Sequence, residues 1–158
     1  MTPEQVVRQL RRAHGVAQAA VAAGRHPFGA LLVAPDHDTV LLEQANVDTV
    51  SHAEAVLARL AADRFDASYL WDCTLVTTVE PCAMCAGTQY WAHIGRLVYG
   101  LSERQLLEIT GNHPENPTLD LPCAEVFARG RKRIEVIGPV AQLHAELVDL
   151  HRRFWPLR

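Results

Sequence analysis

The apolar positions of the chain follow two periods, one typical of helices and one of strands. Residues 3–23 carry apolar side chains three and four positions apart, which is the spacing of an amphipathic helix. Thr2 is a suitable cap for this helix, Pro3 fits its first turn, and Gly24 can end it. The chain is therefore predicted to open with an amphipathic helix.

Short apolar runs separated by turn residues follow this helix. The segments FGALLVAP at 28–35 and TVLLEQAN at 39–46 predict two strands, and the PDHD between them has the composition of a hairpin turn. Helical and strand-like patterns then alternate. The predicted order is a helix at 52–62, a strand at 73–80, a helix at 82–93 and a strand at 96–102.

The remaining third of the chain predicts three more helices and one more strand. In chain order these are a short helix near 102–109, a turn-rich loop at 111–118, a helix near 123–129, a strand at 133–140 and a closing helix at 141–154. Alternation of helices and strands favours parallel pairing with helices on both faces of the sheet. The predicted fold is α/β, a three-layer α/β/α sandwich around a mixed five-stranded sheet, and residues 1–158 are predicted to form a single domain.

Length and charge narrow the possible classes of protein. A chain of 158 residues buries about two-thirds of its unfolded surface, so it needs no metal or disulfide merely to fold. The net charge is −3, and basic residues cluster only at 129–133 and 151–158, so a nucleic-acid partner is not expected. No signal-peptide pattern or run of roughly 18 apolar residues is found. We expect a soluble cytoplasmic protein without a membrane partner.

The segment EPCAMC places two cysteines three positions apart directly behind a proline. Pro81 suits the first position of a helix, so Cys82 and Cys85 lie one turn apart on the same side of a helix start. The helix dipole favours thiolates there. The pair fits a redox site, half of a structural zinc site, or two of three ligands of a catalytic zinc. Cys73 and Cys123 form no second pair of this spacing.

A histidine at another predicted helix start offers the third ligand. Glu54 follows His52 after one residue, and such neighbours reach a common site only where both side chains project off a helix end. Two helix starts can converge at one edge of a parallel sheet, where ligands of open α/β folds bind. His52, Cys82 and Cys85 would leave zinc one open position for water, which is the coordination of a catalytic site.

The motifs H-A-E at 52–54 and P-C-A-M-C at 81–85 match the zinc deaminase signature H-x-E and P-C-x-x-C. Over residues 3–101 the chain resembles the cytidine-deaminase-like superfamily of zinc-dependent nucleobase, nucleoside and tRNA deaminases. The resemblance implies a cytidine deaminase-like fold and a single zinc-dependent deaminase domain. It also implies that Glu54 is the catalytic proton carrier. The implied ligands of Zn²⁺ are His52, Cys82 and Cys85.

Other segments bear on the substrate. HPFGALLV and YWA look like segments of bacterial guanine deaminases, whereas EPCAMCAG is similar to the tRNA adenosine deaminases. In both groups an asparagine at the end of the second strand touches the base, and an amide can bind a purine edge. Aromatic residues can stack on a flat base, and small residues allow its close approach. The expected substrate-binding residues are Asn46, Phe28, Gly29, Ala30, Trp91 and His26.

The expected reaction is hydrolytic deamination of a small amino-substituted nucleobase or nucleoside, with guanine or a related aminopurine or aminotriazine first. The alternatives are a tRNA adenosine-to-inosine deaminase, a cytosine or cytidine deaminase, and a protein that keeps zinc only for structure. The resemblance also implies a homodimer. Beyond residue 101 the chain departs from both groups. There Phe154 and Trp155 are candidate lid aromatics, and Glu103 and Glu108 are candidate carboxylates at the pocket edge.

Overall fold

Helices and strands alternate along the chain in the order that the hydrophobic pattern predicts. The computed structural model describes residues 1–111 and 113–155. In chain order the elements are α1 (Pro3–Ala22), β1 (Gly29–Val33), β2 (Val40–Ala45), α2 (Ala53–Arg64), α3 (Ala67–Asp72), β3 (Thr74–Val79), α4 (Ala83–Trp91), β4 (Arg96–Leu101), α5 (Glu103–Thr110), α6 (Cys123–Ala128), β5 (Glu135–Ile137), a 3-10 turn (Ala141–Leu143) and α7 (His144–Phe154).

The first helix begins as its sequence predicts. The Thr2 hydroxyl accepts a hydrogen bond from the Gln5 backbone, and the Gln5 side chain accepts one from the Thr2 backbone, which satisfies two otherwise unpaired donors. Pro3 occupies the first turn, and Gly24 follows the helix with a φ of 74°. Among the described residues, no helix combines the length and apolarity needed to cross a membrane.

The pattern did not predict α3. Leu70 is its buried residue, and a single buried position gives no period of apolar positions. It fills the connection between α2 and β3. Gly95 packs against α3 so closely that an added Cβ would lie 2.1 Å from the Trp71 carbonyl oxygen. The short helix is thus positioned by tertiary packing.

Within the described residues, the strands form one mixed sheet in the order β2-β1-β3-β4-β5. Strand β1 runs antiparallel to both β2 and β3, and β3, β4 and β5 are mutually parallel. Parallel pairing therefore holds for the later half of the sheet, and the hairpin supplies the antiparallel half. The carboxyl ends of β3 and β4 lie at the same edge of the sheet, where α4 and α5 begin.

Alternating side chains of the sheet pack into two cores. Ala30 and Leu32 of β1 face the cluster that contains α2, α4 and α6. Leu31 and Val33 face the cluster that contains α1, α5 and α7. Because helices cover both faces, the predicted three-layer α/β/α sandwich with a mixed five-stranded sheet is confirmed.

One buried carboxylate joins the later helices to the end of β3. Glu80, which is 5% exposed, accepts hydrogen bonds from the backbone nitrogens of Glu103, at 3.0 Å, and Cys123, at 2.8 Å. These residues begin α5 and α6, whose first N–H groups have no partner within the helix. Glu80 directly precedes the Pro81–Cys85 motif, so it holds α5 and α6 against that motif.

Candidate active site

The three predicted zinc ligands converge where two helices begin. His52 directly precedes α2, Cys82 directly precedes α4, and Cys85 lies in the first turn of α4. The Nδ1 atom of His52 is 3.7 Å from the Cys82 sulfur and 3.6 Å from the Cys85 sulfur. The three candidate ligand atoms all lie within 4.8 Å of one another.

The spacing of these atoms fits a zinc ion. Tetrahedral zinc places a nitrogen and a sulfur ligand about 3.6 Å apart when the bonds are about 2.0 and 2.3 Å. The distances from His52 to the two sulfurs agree with this value. The other ring nitrogen of His52 lies 3.1 Å from the Thr49 carbonyl oxygen, which orients the ring and leaves Nδ1 for the metal. Three protein ligands are the usual number for catalytic zinc.

Hydrogen bonds within the cluster separate the pKa values of its members. Hydrogen bonds with Cys85 and with His52 together lower the pKa of Cys82 to about 4, against the opposing effect of burial. The hydrogen bond with Cys82 raises the pKa of His52 to about 9. The hydrogen bond with Cys82 and burial both raise the pKa of Cys85. The cluster therefore stabilises a thiolate at Cys82, which is the form that binds metal.

Glu54 lies beside the three ligands and is buried, with 4% of its surface exposed. The Thr77 hydroxyl donates a hydrogen bond of 2.5 Å to Glu54 Oε1, and the Cys85 sulfur lies 3.6 Å from Oε2. Burial raises the pKa of the Glu54 carboxyl, and the Thr77 hydrogen bond lowers it. A carboxyl group with its pKa moved toward neutrality can both accept and return a proton.

A cavity reaches this cluster from the surface. Its inner pocket, of about 30 Å³, is lined by Phe28, His52, Glu54, Val79, Glu80, Cys82, Glu103, Leu106 and Asn116. An outer cleft of about 410 Å³ shares five of these residues and adds His26, Thr49, Met84, Pro114, Glu115 and residues 117–119. The combined space is within the range of small-molecule sites. His52, Cys82 and Glu54 therefore face a space suited to a small substrate.

Three of the expected substrate-binding residues lie near this cavity. Phe28 lines both of its parts, and His26 lines the outer cleft. Asn46 is not among the described residues that line the cavity, but it is buried and adjoins Phe28, whose carbonyl oxygen accepts its backbone hydrogen bond at 3.0 Å. The Asn46 amide nitrogen donates to the Asp48 carbonyl oxygen at 3.0 Å. Its Oδ1 atom has no hydrogen-bond partner among the described residues.

Gly29 and Ala30 belong to β1, and neither is among the described residues that line the cavity. A Cβ at Gly29 would lie 2.6 Å from the Ala13 carbonyl oxygen, so glycine is needed here for the close packing of α1. Ala30 is fully buried and pairs with Thr77 of β3. It therefore lies beside Thr77, whose hydroxyl donates a hydrogen bond to Glu54.

The structure does not bring Trp91 to the cavity. It is 76% exposed and lines a groove on the outer face of α2 and α4. Cys82 precedes α4 and Trp91 ends it, and nine residues of helix separate the two by about 13 Å. The similarity of YWA to a segment of guanine deaminases did not predict on which face of α4 the Trp91 side chain lies.

The C-terminal aromatic residues pack behind the outer cleft. The Trp155 ring lies 4.9 Å from the His26 ring and 5.0 Å from the His113 ring, and the Phe154 ring lies 5.7 Å from the His26 ring. Trp155 lines a separate cavity between α5 and α7, together with Glu108. Of the two glutamates considered for the pocket edge, Glu103 lines the active-site cavity.

Sequence reasoning missed Thr77 and Asn116. Thr77 is a fully buried polar residue of β3, and nothing in the sequence distinguishes it from Thr74 and Thr78 of the same strand. Asn116 lies in a loop whose composition indicates turns and gives no side-chain direction. Both positions depend on contacts between segments that are far apart in the sequence.

Residues 3–101 match the sequence profile of the cytidine and deoxycytidylate deaminase zinc-binding region. The probable cytosine deaminase of Schizosaccharomyces pombe is 34% identical over 157 residues, 96% of this chain and 93% of that protein. The guanine deaminase of Bacillus subtilis is 38% identical over 104 residues, 63% of this chain and 66% of that protein. The structure of a guanine deaminase from Nitrosomonas europaea has a TM-score of 0.69 and 23% identity, covering 94% of this chain and 83% of that one.

Proposed function

Since the chain belongs to the zinc-dependent cytidine and deoxycytidylate deaminase family, we propose that it hydrolyses the amino group of a free nucleobase and releases ammonia. The observation that carries the proposal is the position of Glu54, beside three zinc ligands and facing the same cavity. A purely structural zinc site has no need of a buried carboxylate that is not a ligand. The family membership and this geometry support the same chemistry.

The reaction requires a proton carrier on the metal side of the substrate. Zinc held by His52, Cys82 and Cys85 supplies a Lewis acid that lowers the pKa of water toward about 7. Glu54 accepts a proton from the attacking water and gives it to the ring nitrogen of the amidine. It then passes the second proton to the departing amino group. A carbon–oxygen bond forms, the carbon–nitrogen bond breaks, and both hydrogens of the water are accounted for.

Guanine and cytosine are the two candidate substrates. Guanine follows from the likeness of the HPFGALLV segment to guanine deaminases and from the 38% identity to the Bacillus subtilis enzyme. Cytosine is favoured by the Schizosaccharomyces pombe relative, because that similarity extends over 96% of this chain. It thus includes α5 and the loop at 114–119, which line the cavity.

Asn46 and Phe28 are the proposed base contacts. The unpartnered Oδ1 atom of Asn46 is a buried acceptor, and such an atom is costly unless a ligand completes its hydrogen bonding. Phe28 lines the inner pocket and packs edge-on against His151, with ring centroids 5.3 Å apart. This contact holds the Phe28 ring so that it can serve as a wall for a flat base.

Ammonia release from a substrate panel tests the proposal. Zinc-loaded protein is mixed with guanine, cytosine, adenine, guanosine, cytidine, ammeline or tRNA, with Glu54→Ala as the control. We expect release from guanine or cytosine by the wild type and none by Glu54→Ala, although the variant keeps its zinc. Zinc binding without ammonia release from any substrate would contradict the proposed function.

The tRNA sample tests the alternative that the sequence left open. Within the basic segment 129–133, the Lys132 amine donates to the Tyr90 carbonyl oxygen at 2.6 Å and lies 4.5 Å from the centroid of that ring. Lys132 is thus engaged in packing against α4. Ammonia release from tRNA alone would replace the free-base proposal.

We also propose a homodimer formed through the outer face of α2 and α4. Trp91 and Met84 are 76% and 37% exposed there and line a largely apolar groove of about 490 Å³. A second copy of the same helices would bury this surface about a two-fold axis. Light scattering should give twice the chain mass for the wild type and for Tyr69→Glu, but a single chain mass for Trp91→Glu. A monomeric wild type would contradict the proposal.

A further inference from the structure

A second carboxylate faces the active-site cavity. Glu103, the first residue of α5, is 7% exposed and lines both the inner pocket and the outer cleft. Among residues 1–111 and 113–155, none donates a hydrogen bond to its carboxylate. The carboxyl group opens onto the cavity on both sides of this wall. Its oxygens can therefore accept a hydrogen bond from a ligand in the cavity.

The fold holds Glu103 in this position. Its backbone nitrogen donates to Glu80, and a capping box formed by Ser102 and Gln105 fixes the first turn of α5. Glu108, farther along α5, lines the separate cavity between α5 and α7. The two glutamates therefore face different cavities, and the orientation of Glu103 follows from how α5 begins.

A neighbouring loop adds a second acceptor to the same wall. The Asn116 amide nitrogen donates to the hydroxyls of Thr118, at 2.9 Å, and Thr110, at 3.3 Å. With both amide hydrogens engaged, Oδ1 of Asn116 is left as an acceptor. Asn116 lines both parts of the cavity. This wall therefore offers hydrogen-bond acceptors and suits a substrate edge that carries N–H donors.

We propose that Glu103 determines specificity by accepting a hydrogen bond from a ring N–H on the edge of the base opposite the reacting amidine. The inference rests on the proposed function, which places the amidine beside Glu54 and the metal ligands. Guanine and cytosine both carry such a ring N–H. In guanosine and cytidine the sugar replaces that hydrogen, so Glu103 selects free bases over nucleosides.

Matched substrates isolate the proposed hydrogen bond. The rates for cytosine and 1-methylcytosine, or for guanine and 9-methylguanine, are compared in the zinc-loaded protein, because each methyl group replaces the ring N–H donor and leaves the reacting amidine unchanged. A site built to hydrogen-bond its substrate rejects analogues that lack the donor by large factors. We expect wild-type kcat/KM to favour the unmethylated base by about 100-fold or more.

Two substitutions at Glu103 test the residue. Glu103→Gln should lower kcat/KM for the unmethylated base by about tenfold, and Glu103→Leu by about 100-fold, mainly through KM, because Gln keeps a weaker acceptor at this position and Leu removes the acceptor. Both variants should leave the methylated base unaffected, so the preference shrinks. The control variant Glu108→Gln should keep the wild-type preference, since Glu108 lines the other cavity.

The possible outcomes separate this inference from the proposed function. If the wild type deaminates a base and both Glu103 variants keep its preference, the inference is wrong and the proposed function stands. If the wild type deaminates none of the four bases, the proposed function is wrong, and binding replaces kinetics as the test of Glu103. Calorimetric binding of cytosine and guanine to Glu54→Ala and to Glu54→Ala/Glu103→Gln then decides the inference, because equal affinities in the two proteins also overturn it.

Discussion

The Glu54 carboxyl group is held by a hydrogen bond from the Thr77 hydroxyl on β3. Burial raises the pKa of this carboxyl, and the hydrogen bond from Thr77 opposes that effect. The same bond fixes Oε1, so that Oε2 is the oxygen beside the Cys85 sulfur. We therefore propose Thr77 as a positioning residue for Glu54, the proposed proton carrier, and we expect its hydroxyl to affect the rate of reaction more than the binding of substrate.

Thr77→Val removes this hydroxyl at nearly constant volume. We expect kcat to fall by about 10- to 100-fold, the usual effect of losing a hydrogen bond to a charged group, with KM nearly unchanged. Thr77→Ser should restore most of the rate. Steady-state kinetics of the zinc-loaded variants measures both constants.

Thr74→Val is the matched control for this substitution. Thr74 is a buried residue of the same strand, and its hydroxyl has no partner among the described residues. Its loss should leave the kinetics unchanged. If Thr74→Val and Thr77→Val reduce kcat equally, the effect belongs to the strand and Thr77 has no positioning role.

At the scale of elements, Glu80 links β3 to the start of two helices. Both of its oxygens accept backbone hydrogen bonds, one from α5 and one from α6. Anionic side chains at helix N-termini also interact favourably with the helix dipole. Glu80 thereby fixes Glu103 at the cavity wall and couples the C-terminal elements to the ligand motif that follows it.

Glu80→Ala should lower the free energy of unfolding by about 2–4 kcal/mol, because it leaves two buried N–H groups without partners. Urea unfolding followed by circular dichroism measures the change. Glu125→Ala is the control, since Glu125 lies in the first turn of α6 and is exposed. Equal stability of the two variants would show that the bonds to Glu80 contribute nothing measurable.

At the scale of the whole molecule, α7 braces the walls of the cavity. His151 is fully buried, accepts a hydrogen bond from the Trp155 indole at 3.1 Å, and packs against Phe28. Trp155 in turn contacts His26 and His113. Burial lowers the pKa of His151 to about 3, and the nearby His14 adds to the shift. Neutral His151 is thus part of the folded structure.

Acid should destabilise the protein through this histidine. The folded pKa lies below the ordinary 6.5, so the unfolded chain binds the proton more tightly. The contribution of neutral His151 to stability is complete above about pH 6.5 and is lost as the pH falls toward 3. Between pH 7 and 5 the wild type should lose about 2 kcal/mol more than His151→Gln. Chemical unfolding at both pH values measures this difference.

The exposed His144, at the start of α7, provides the control for this prediction. His144→Gln should show the same pH dependence as the wild type, because the His144 ring stays in contact with water in the folded chain. If His151→Gln also keeps the wild-type pH dependence, the buried ring does not govern acid stability.

The sequence by itself determined most elements and identified the candidate zinc ligands that the structure brings together. Periods of apolar residues, caps and turn residues act over a few positions. They predicted every described strand and every described α-helix except α3. The motifs H-x-E and P-C-x-x-C are also local patterns, because each one spans a few residues at the start of one helix. The single-domain extent and the cytoplasmic location are not tested by the fold and stay predictions.

Only the tertiary structure decided which distant segments meet. The antiparallel place of β1 between β2 and β3, the bond from Thr77 to Glu54, and the opposite directions of Glu103 and Trp91 all depend on how layers pack. A local pattern carries no information on these contacts, since the same strand or helix can present its faces to different neighbours. Side-chain burial and hydrogen bonding between distant segments select one arrangement, and that arrangement shapes the cavity.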